Sequence, residues 1–200
     1  MNPYADAPRL PDEHPVDPRV LVGGGDAAIE LEIGPGRGGF VFERLAEDPR
    51  ARIVGLEIRR KWATIVDRRL ADRGFGTRAR VFAEDARYAL SHFVAESVSR
   101  VFVHFPDPWW KKRHHKRLVV GAPLLDEVAR VLVPRGEVFV QTDVEERAAG
   151  YEALFEAHVG FVPHGETARV TEFPFAARSP RERRALADGL PVFRLQYRRV

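Results

Sequence analysis

The stretch from His104 to Arg117 carries more reactive and ligand-binding side chains than any other part of the sequence. It reads HFPDPWWKKRHHKR, with Asp107 between two prolines, then two tryptophans, and then seven consecutive residues that are Lys, Arg or His. A carboxylate held in a stiff turn, aromatic faces and a dense positive charge suit a site that grips a nucleic-acid backbone and handles one base.

A second group of candidate residues surrounds a glycine-rich turn. Gly34, Gly36 and Gly39 follow a short apolar run and match the G-x-G-x-x-G spacing, which alone fits a nicotinamide dinucleotide as well as other nucleotide ligands. Glu32, two residues before the first glycine, argues against the dinucleotide, because a carboxylate there suits a cationic amino-acid tail and suits a pyrophosphate badly.

Two further acids complete this group. Glu57 can accept hydrogen bonds from both hydroxyls of a ribose, and Asp85 can accept one from an adenine amino group, while Ala86 leaves room for the ring. The order of acid, glycine turn, acid and acid resembles class I S-adenosylmethionine-dependent methyltransferases.

The pattern of apolar residues predicts which elements hold these side chains. From residue 28 onwards, short apolar strands alternate with amphipathic helices, which is typical of a parallel sheet with helices on both faces. Because ligands of such sheets bind at the carboxyl ends of the strands, we expect Gly34, Glu57, Asp85, Asp107 and Asp143 to lie around one crevice. The predicted strands are Ile29–Ile33, Arg52–Leu56, Arg80–Phe82, Val101–Phe105, Glu137–Gln141, Gly160–Val162 and Val192–Tyr197.

Length and composition indicate one domain. The chain has 200 residues and 44% apolar content, enough for one sizeable core; residues 1–27, with five prolines and three consecutive glycines, are predicted to be an irregular strap, and residues 28–200 a single domain. There is no cysteine, and no apolar run reaches the roughly 18 residues of a membrane span. We therefore expect a cytoplasmic protein that does not bind membranes.

Positive charge is clustered although the net charge is only +3. The clusters are Lys111–Arg117, Arg178–Arg184 and the C-terminus, and clustering on a balanced chain predicts a local polyanion-binding surface. For Arg178–Arg184 alone, ordinary solvated charge is the simpler interpretation. His104, His114 and His115 lack the further ligands of a zinc site, so no metal is expected.

The segment PDPW followed by basic residues resembles the bacterial tRNA (guanine-N7)-methyltransferases, whose signature here is P-D-P-W-P-K-x-R-H-x-K-R-R. Leu31–Gly34, Gly55–Trp62 and Gln141–Asp143 support the resemblance, which extends over about residues 29–198. Trp110 stands where the family has proline, and Leu118 where it has a further arginine.

The resemblance implies a Rossmann-like fold with a mostly parallel seven-stranded sheet whose last strand is antiparallel. It implies a catalytic position at Asp107, cofactor binding by Glu32, Gly34, Glu57, Asp85, Ala86 and Asp107, and tRNA binding by Lys111, Asp143, Ser179 and Glu182. Ser179–Glu182 is aligned with the family's T-x-[YF]-E segment, with Gly189 ten residues after Ser179. A rival register would align Thr171–Pro174 instead, but it loses the glutamate.

The activity that follows is transfer of a methyl group from S-adenosylmethionine to N7 of guanine 46 in the variable loop of tRNA, by a monomer or small homo-oligomer. Three alternatives stay open at this point. The chain could methylate another RNA, a protein or a small molecule; it could be a non-catalytic RNA-binding module with a decayed cofactor pocket; or, least favoured because of Glu32, it could be a dinucleotide oxidoreductase.

Overall fold

A computed structural model describes residues 3–106 and 119–200 of the chain. Within these ranges the strands are β1 (Ile29–Ile33), β2 (Arg52–Leu56), β3 (Ala79–Phe82), β4 (Val98–His104), β5 (Leu132–Thr142), β6 (Phe161–Pro163), β7 (Arg169–Val170) and β8 (Phe193–Arg199). The helices are α1 (Pro18–Leu21), α2 (Gly39–Glu47), α3 (Arg60–Asp72), α4 (Ala86–Ala89), α5 (Ala122–Val131), α6 (Glu145–Glu156) and α7 (Pro180–Ala187).

These strands form one mixed sheet in the order β3-β2-β1-β4-β5-β8-β6, with β7 paired to β8. Strands β1 to β5 are parallel to one another, whereas β8 runs antiparallel to β5, β6 and β7. The predicted Rossmann-like α/β architecture and the antiparallel last strand are confirmed. Because consecutive parallel strands need crossover connections, the helices between them cover the sheet.

The described sheet has one strand more than the predicted seven. The addition is β7, in which two residues pair with Arg194 and Leu195 of β8. So short a strand carries no detectable alternation, which explains why the sequence did not indicate it. Strand β5 also begins at Leu132, five residues before the predicted start at Glu137. The prediction started too late because Pro134 and Gly136 are residues that usually interrupt strands.

One face of the sheet is apolar. Its side chains alternate along the strands with those of the opposite face and pack into the largest core of the protein, together with residues from α4, α5 and α6. On β1 the residues of this face are Ile29, Leu31 and Ile33, all buried. The sequence pattern predicts a helix with Leu124, Leu125, Val128 and Leu132 on one face. The first three are buried on α5, whereas Leu132 begins β5.

The other face of the sheet mixes phenylalanines with charged groups. Helix α2 and the segment formed by residues 171–178 cover it, and Phe40, Phe173 and Phe175 pack there against Phe102 and Phe139 of the sheet. The same face carries a chain of ion pairs in which Glu30 binds Arg44 at 2.8 Å and Arg100 at 3.1 Å. Glu30 is only 2% exposed, so these charges are desolvated and stabilised by one another.

Residues 3–27 run along the sheet and contact the loop after β3. The Ala83 N–H donates to the Pro8 carbonyl at 2.7 Å, and Arg9 pairs with Glu84 at 2.9 Å. Asp17 caps α1 by accepting a hydrogen bond from the Arg19 N–H. Across the described ranges, no helix combines the length and the apolar character that crossing a membrane requires.

Candidate functional site

Two adjoining cavities lie at the carboxyl ends of the parallel strands. The first has a volume of about 470 Å³ and the second about 560 Å³. Both are lined by Gly34, Arg59 and the stretch from His104 to Pro106. The shared wall makes them two lobes of one crevice, at the edge of the sheet where the sequence predicted a site.

The glycine turn after β1 forms the floor between the lobes. Gly34 adopts φ +74°, a conformation that favours glycine, and the position where a Cβ would project is open space. Gly39, at the start of α2, has a different reason to lack a side chain, because the ring of Pro180 occupies the place of its Cβ. The turn therefore exposes backbone to a ligand on one side and receives α7 on the other.

Glu32, the residue before the last one of β1, lines the first cavity. Its Oε1 is hydrogen bonded to His104 Nδ1 at 2.9 Å, and both side chains are almost fully buried. Its Oε2 is also buried but has no hydrogen-bond partner among the described residues. A buried carboxylate oxygen without a donor costs free energy, so this atom is positioned to bind a donor or cation from a ligand.

His104 contacts the site in a way that the sequence did not indicate. Its ring packs on Phe40, with centroids 4.4 Å apart, and it binds one oxygen of Glu32, whose other oxygen has no partner among the described residues. The signal that could have found it is the alternation along β4, which puts His104 on the same sheet face as Arg100 and Phe102.

Glu57 lies at the end of β2 and lines the second cavity. Its Oε2 accepts a hydrogen bond from the Gly36 N–H at 2.9 Å, and its Oε1 accepts from the Arg59 N–H and Nε at 2.9 and 3.1 Å. A carboxylate has about four acceptor sites, so Glu57 keeps capacity for ligand hydroxyls while it fixes the glycine turn.

Asp85 and Ala86 line the same cavity at the start of α4. Asp85 caps the helix by accepting from the Arg87 N–H at 3.1 Å, and it pairs with the Arg87 guanidinium. The side-chain hydrogen bond from Arg87, opposed by partial burial, lowers the pKa of Asp85 below its usual value. Asp85 is therefore an ionised acceptor at neutral pH.

Asp143 and Ser179 also line the first cavity. Asp143 is ion-paired with Arg181 of α7, and Ser179 caps α7 by accepting from the Glu182 N–H at 3.1 Å. Arg181, from the predicted Arg178–Arg184 cluster, lines this cavity together with three arginines that the sequence analysis gave no role, namely Arg37, Arg59 and Arg147. The first cavity therefore has cationic walls beside its two carboxylates.

Glu182 does not line either cavity. It is 2% exposed and pairs with Arg194 at 2.6 Å and with Arg178 at 3.3 Å. Its pairs join α7 to β8 and to the 171–178 segment. The Ser-x-x-Glu spacing is also a helix-capping pattern, a structural signal that the sequence carried for this position.

Asp107 and Lys111 lie outside the described residues, as do Trp109, Trp110 and the basic run. Pro106, the residue before Asp107, lines both cavities. Phe105 before it adopts φ 48°, in the left-handed region that non-glycine residues seldom occupy and that is enriched at functional sites.

The residues of the crevice fit S-adenosylmethionine. The free oxygen of Glu32 suits the ammonium of its amino-acid part, the open side of Gly34 admits a ligand against the backbone, and the acids of the second cavity suit a nucleoside. Within residues 3–106 and 119–200, no group of three or more His, Asp or Glu side chains could hold a metal ion.

Comparison with known proteins agrees with this geometry. Residues 26–195 match the family model described as “Putative methyltransferase”. The chain is 39% identical to the tRNA (guanine-N(7)-)-methyltransferase of Anaeromyxobacter dehalogenans over 96% of this chain and 94% of that protein. It is 38% identical to the protein of the same name from Myxococcus xanthus, over 83% and 81% of the two chains.

Solved structures share the fold at low sequence identity. The aminoglycoside resistance methyltransferase NpmB1 superposes with a TM-score of 0.57 at 18% identity, covering 88% of this chain and 89% of that one. The geranyl diphosphate C-methyltransferase of Streptomyces coelicolor superposes with a TM-score of 0.60 at 16% identity, covering 90% and 74%. Both support the methyltransferase fold alone.

Proposed function

Since this chain belongs to the family of tRNA (guanine-N(7)-)-methyltransferases, we propose that it transfers a methyl group from S-adenosylmethionine to N7 of guanine 46 in the variable loop of tRNA. The observation that carries the proposal is the arrangement of the crevice. An acid-lined lobe suited to a nucleoside adjoins a lobe with cationic walls, and the two meet at the open glycine turn.

The cofactor would be held by residues of both lobes. In this proposal Glu32 binds the ammonium through its free Oε2, Gly34 gives the ligand access to the backbone, and Glu57 accepts from the ribose hydroxyls. Asp85 accepts from the adenine amino group beside Ala86. When bound, S-adenosylmethionine supplies a methyl group carried on a sulfonium cation.

The tRNA would enter from the first cavity. Asp143 and Ser179 line it, and Asp107 and Lys111 follow Pro106 along the chain. Glu182 contributes to substrate binding by holding α7 in place through Arg178 and Arg194. A base inside folded RNA must be splayed out at a cost of a few kcal/mol, which cationic walls that bind phosphates help to offset.

The chemistry requires positioning more than proton transfer. Guanine N7 carries an exposed lone pair, so no residue has to remove a proton before it attacks. Alignment of bound reactants can supply about 7–11 kcal/mol of a barrier. Methylation leaves a positively charged purine, and carboxylates such as Asp107 and Asp143 would stabilise the charge that develops.

We also propose a setting for the enzyme. A tRNA substrate is consistent with a cytoplasmic location and with a monomer or small homo-oligomer. Residues 1–27 are proposed to form a strap on a single domain of residues 28–200, and the contact of Arg9 with Glu84 supports this because Glu84 lines the second cavity.

The experiment that tests the function uses methyl-labelled S-adenosylmethionine and unmodified tRNA. We expect the label on N7 of guanine 46. We expect Asp107→Ala to reduce turnover by at least about 100-fold, because it removes a carboxylate proposed to stabilise the charge that develops on the guanine. Asp126→Ala is the control, since Asp126 is an exposed carboxylate on α5 that lines neither cavity.

Several outcomes would contradict the proposal. Label on another atom or another substrate would indicate a different methyltransferase. Binding of tRNA without calorimetric binding of S-adenosylmethionine would indicate a non-catalytic RNA-binding module.

A further inference from the structure

The arginines of this protein fall into two groups according to their partners. Most have a carboxylate within 4 Å, including exposed residues such as Arg169, Arg183 and Arg184. A second group has no carboxylate partner within that distance in the described part of the chain. Six basic residues of this kind cluster on α3, at its C-terminal end and in the glycine turn, namely Arg37, Arg60, Lys61, Arg68, Arg69 and Arg73.

Helix α3 presents its basic residues to solvent along its whole length. Ala63, Val66 and Leu70 are buried against the sheet, whereas Lys61 and Arg68 are exposed. Lys61 and Arg68 are seven residues apart, about two turns of helix, so they share one face. From Arg60 to Arg73 the helix extends for about 20 Å at about 1.5 Å per residue, which gives an elongated surface, called here the α3 cationic face.

The carboxylates of α3 do not neutralise this face. Asp67 is held by Arg80 of β3 through two hydrogen bonds of 2.8 and 3.1 Å. Asp72 is exposed and is the remaining acid of the helix. Neighbouring cations without counter-charges repel one another unless an anion binds.

Aromatic rings connect the α3 cationic face to the first cavity. The guanidinium of Arg37 lies 4.9 Å from the ring centroid of Trp62, and Lys61 Nζ lies 5.4 Å from the same centroid. Arg37 also lines the first cavity. The positive surface is thus continuous from the cavity wall to the outer side of the helix.

The buried residues of α3 distinguish between two anionic ligands of the α3 cationic face, a membrane surface and a nucleic acid. A helix that binds a membrane surface inserts its apolar face among the lipids, but the apolar face of α3 is committed to the core. An elongated row of Lys and Arg beside an aromatic ring suits a nucleic-acid strand, which combines a row of negative phosphates with bases that can stack.

We propose that the α3 cationic face is a second RNA-binding surface, which contacts the phosphate backbone of tRNA on the side of the crevice formed by the glycine turn. The inference rests on the proposed function, because it takes tRNA as the molecule that enters the first cavity. It adds a contact to those that the sequence assigns to the basic run after Pro106.

The test compares two variants that remove exposed positive charge at different places. The first combines Arg60→Gln, Lys61→Gln and Arg68→Gln on the α3 cationic face. The control is Arg135→Gln, because Arg135 is exposed, has no carboxylate partner among the described residues and lies near the start of β5, at the opposite edge of the sheet from the cavities. For each protein, tRNA affinity is measured by filter binding over a series of salt concentrations, and S-adenosylmethionine affinity by calorimetry.

We expect the triple variant to bind tRNA at least about tenfold more weakly at 0.1 M salt, with the slope of log affinity against log salt reduced by about two, since each phosphate contact contributes about 0.7–0.9. Cofactor affinity and the control should match the wild type. An unchanged tRNA affinity and salt slope in the triple variant would overturn the inference, as would an equal loss in the control.

Methylation of tRNA by the wild type and by the triple variant, measured beside the binding, separates this inference from the proposed function. If the wild type methylates tRNA and the triple variant does so with the same KM, the α3 cationic face is not an RNA surface although the function stands. If the wild type binds no tRNA and an acidic protein binds the face instead, both proposals fail.

Discussion

Glu30 and Glu32 occupy the same face of the same strand, and the difference between them separates the part of the molecule that holds the fold from the part that binds a ligand. Each is 2% exposed. Glu30, near the start of β1, is fully paired by Arg44 and Arg100. Among the described residues Glu32, about 7 Å further along the strand, is hydrogen bonded to His104 alone and has one oxygen without a donor.

This difference shows how a buried charge can serve either role. Removing a carboxylate from water is costly, and the cost is offset where cations and donors surround it. Around Glu30 the protein supplies all of them, so the group contributes to a closed structure. Around Glu32 the described residues leave one oxygen without a donor, and the proposed ligand would stabilise it. The position along the strand, and not the residue type, decides the role.

The largest expected effect is a loss of stability when Glu30, the fully paired glutamate, is removed. Glu30→Ala would leave Arg44 and Arg100 without their shared partner, and breaking a buried ion pair costs about 3–5 kcal/mol. We expect the free energy of unfolding to fall by that amount in a denaturant titration. Glu96→Ala is the control, since its ion pair with Arg199 is about half exposed and such pairs contribute about 1 kcal/mol or less.

A Glu30→Ala protein with wild-type stability would mean that the ion pairs on this face do not hold the sheet to α2. Glu30 would then have no structural role to contrast with the binding role proposed for Glu32.

The next effect concerns Glu32 and should appear in the affinity for S-adenosylmethionine instead of in stability. Glu32→Gln keeps the shape of the side chain and a hydrogen bond to His104, but it removes the negative charge that faces the cavity. Loss of one partner of a buried charge pair costs about 2 kcal/mol or more, so S-adenosylmethionine should bind at least about 30-fold more weakly. Calorimetry measures this directly.

Glu137→Gln is the matched control for that variant. Glu137 lies on the same sheet face and pairs with Arg100 at 3.3 Å, but it lines neither cavity. Cofactor affinity should be unchanged in this control. If Glu32→Gln binds the cofactor as the wild type does, the free oxygen of Glu32 is not its ammonium site.

The sequence predicted the floor of the crevice because that part depends on local patterns. Glu32, Gly34, Glu57 and Asp85 all follow or end short strands with a recognisable apolar run, and parallel strands bring their carboxyl ends to one edge. The structure brings these four residues to the two cavities. A local pattern was sufficient there because each residue is fixed by the strand that carries it.

Other features depend on contacts between distant parts of the chain, and local patterns could not predict them. Glu182 pairs with Arg194, twelve residues away on β8, so its burial follows from how α7 docks. The 171–178 segment covers the charged sheet face without regular structure of its own. The partner of His104 is 72 residues away in the sequence, and the sequence pattern alone gave it no role.

The smallest expected effect concerns Ser179, which belongs both to the fold and to the cavity. Ser179 both caps α7 and lines the first cavity, so removal of its hydroxyl should affect stability and substrate binding together. Loss of a helix N-cap costs about 1 kcal/mol. We expect Ser179→Ala to lower the free energy of unfolding by about that much and to raise the KM for tRNA a few-fold, while Ser179→Thr, which keeps a hydroxyl, should restore both. A loss of stability without a change in KM would assign Ser179 to the fold alone and would leave Asp143 as the described residue proposed to contact the base.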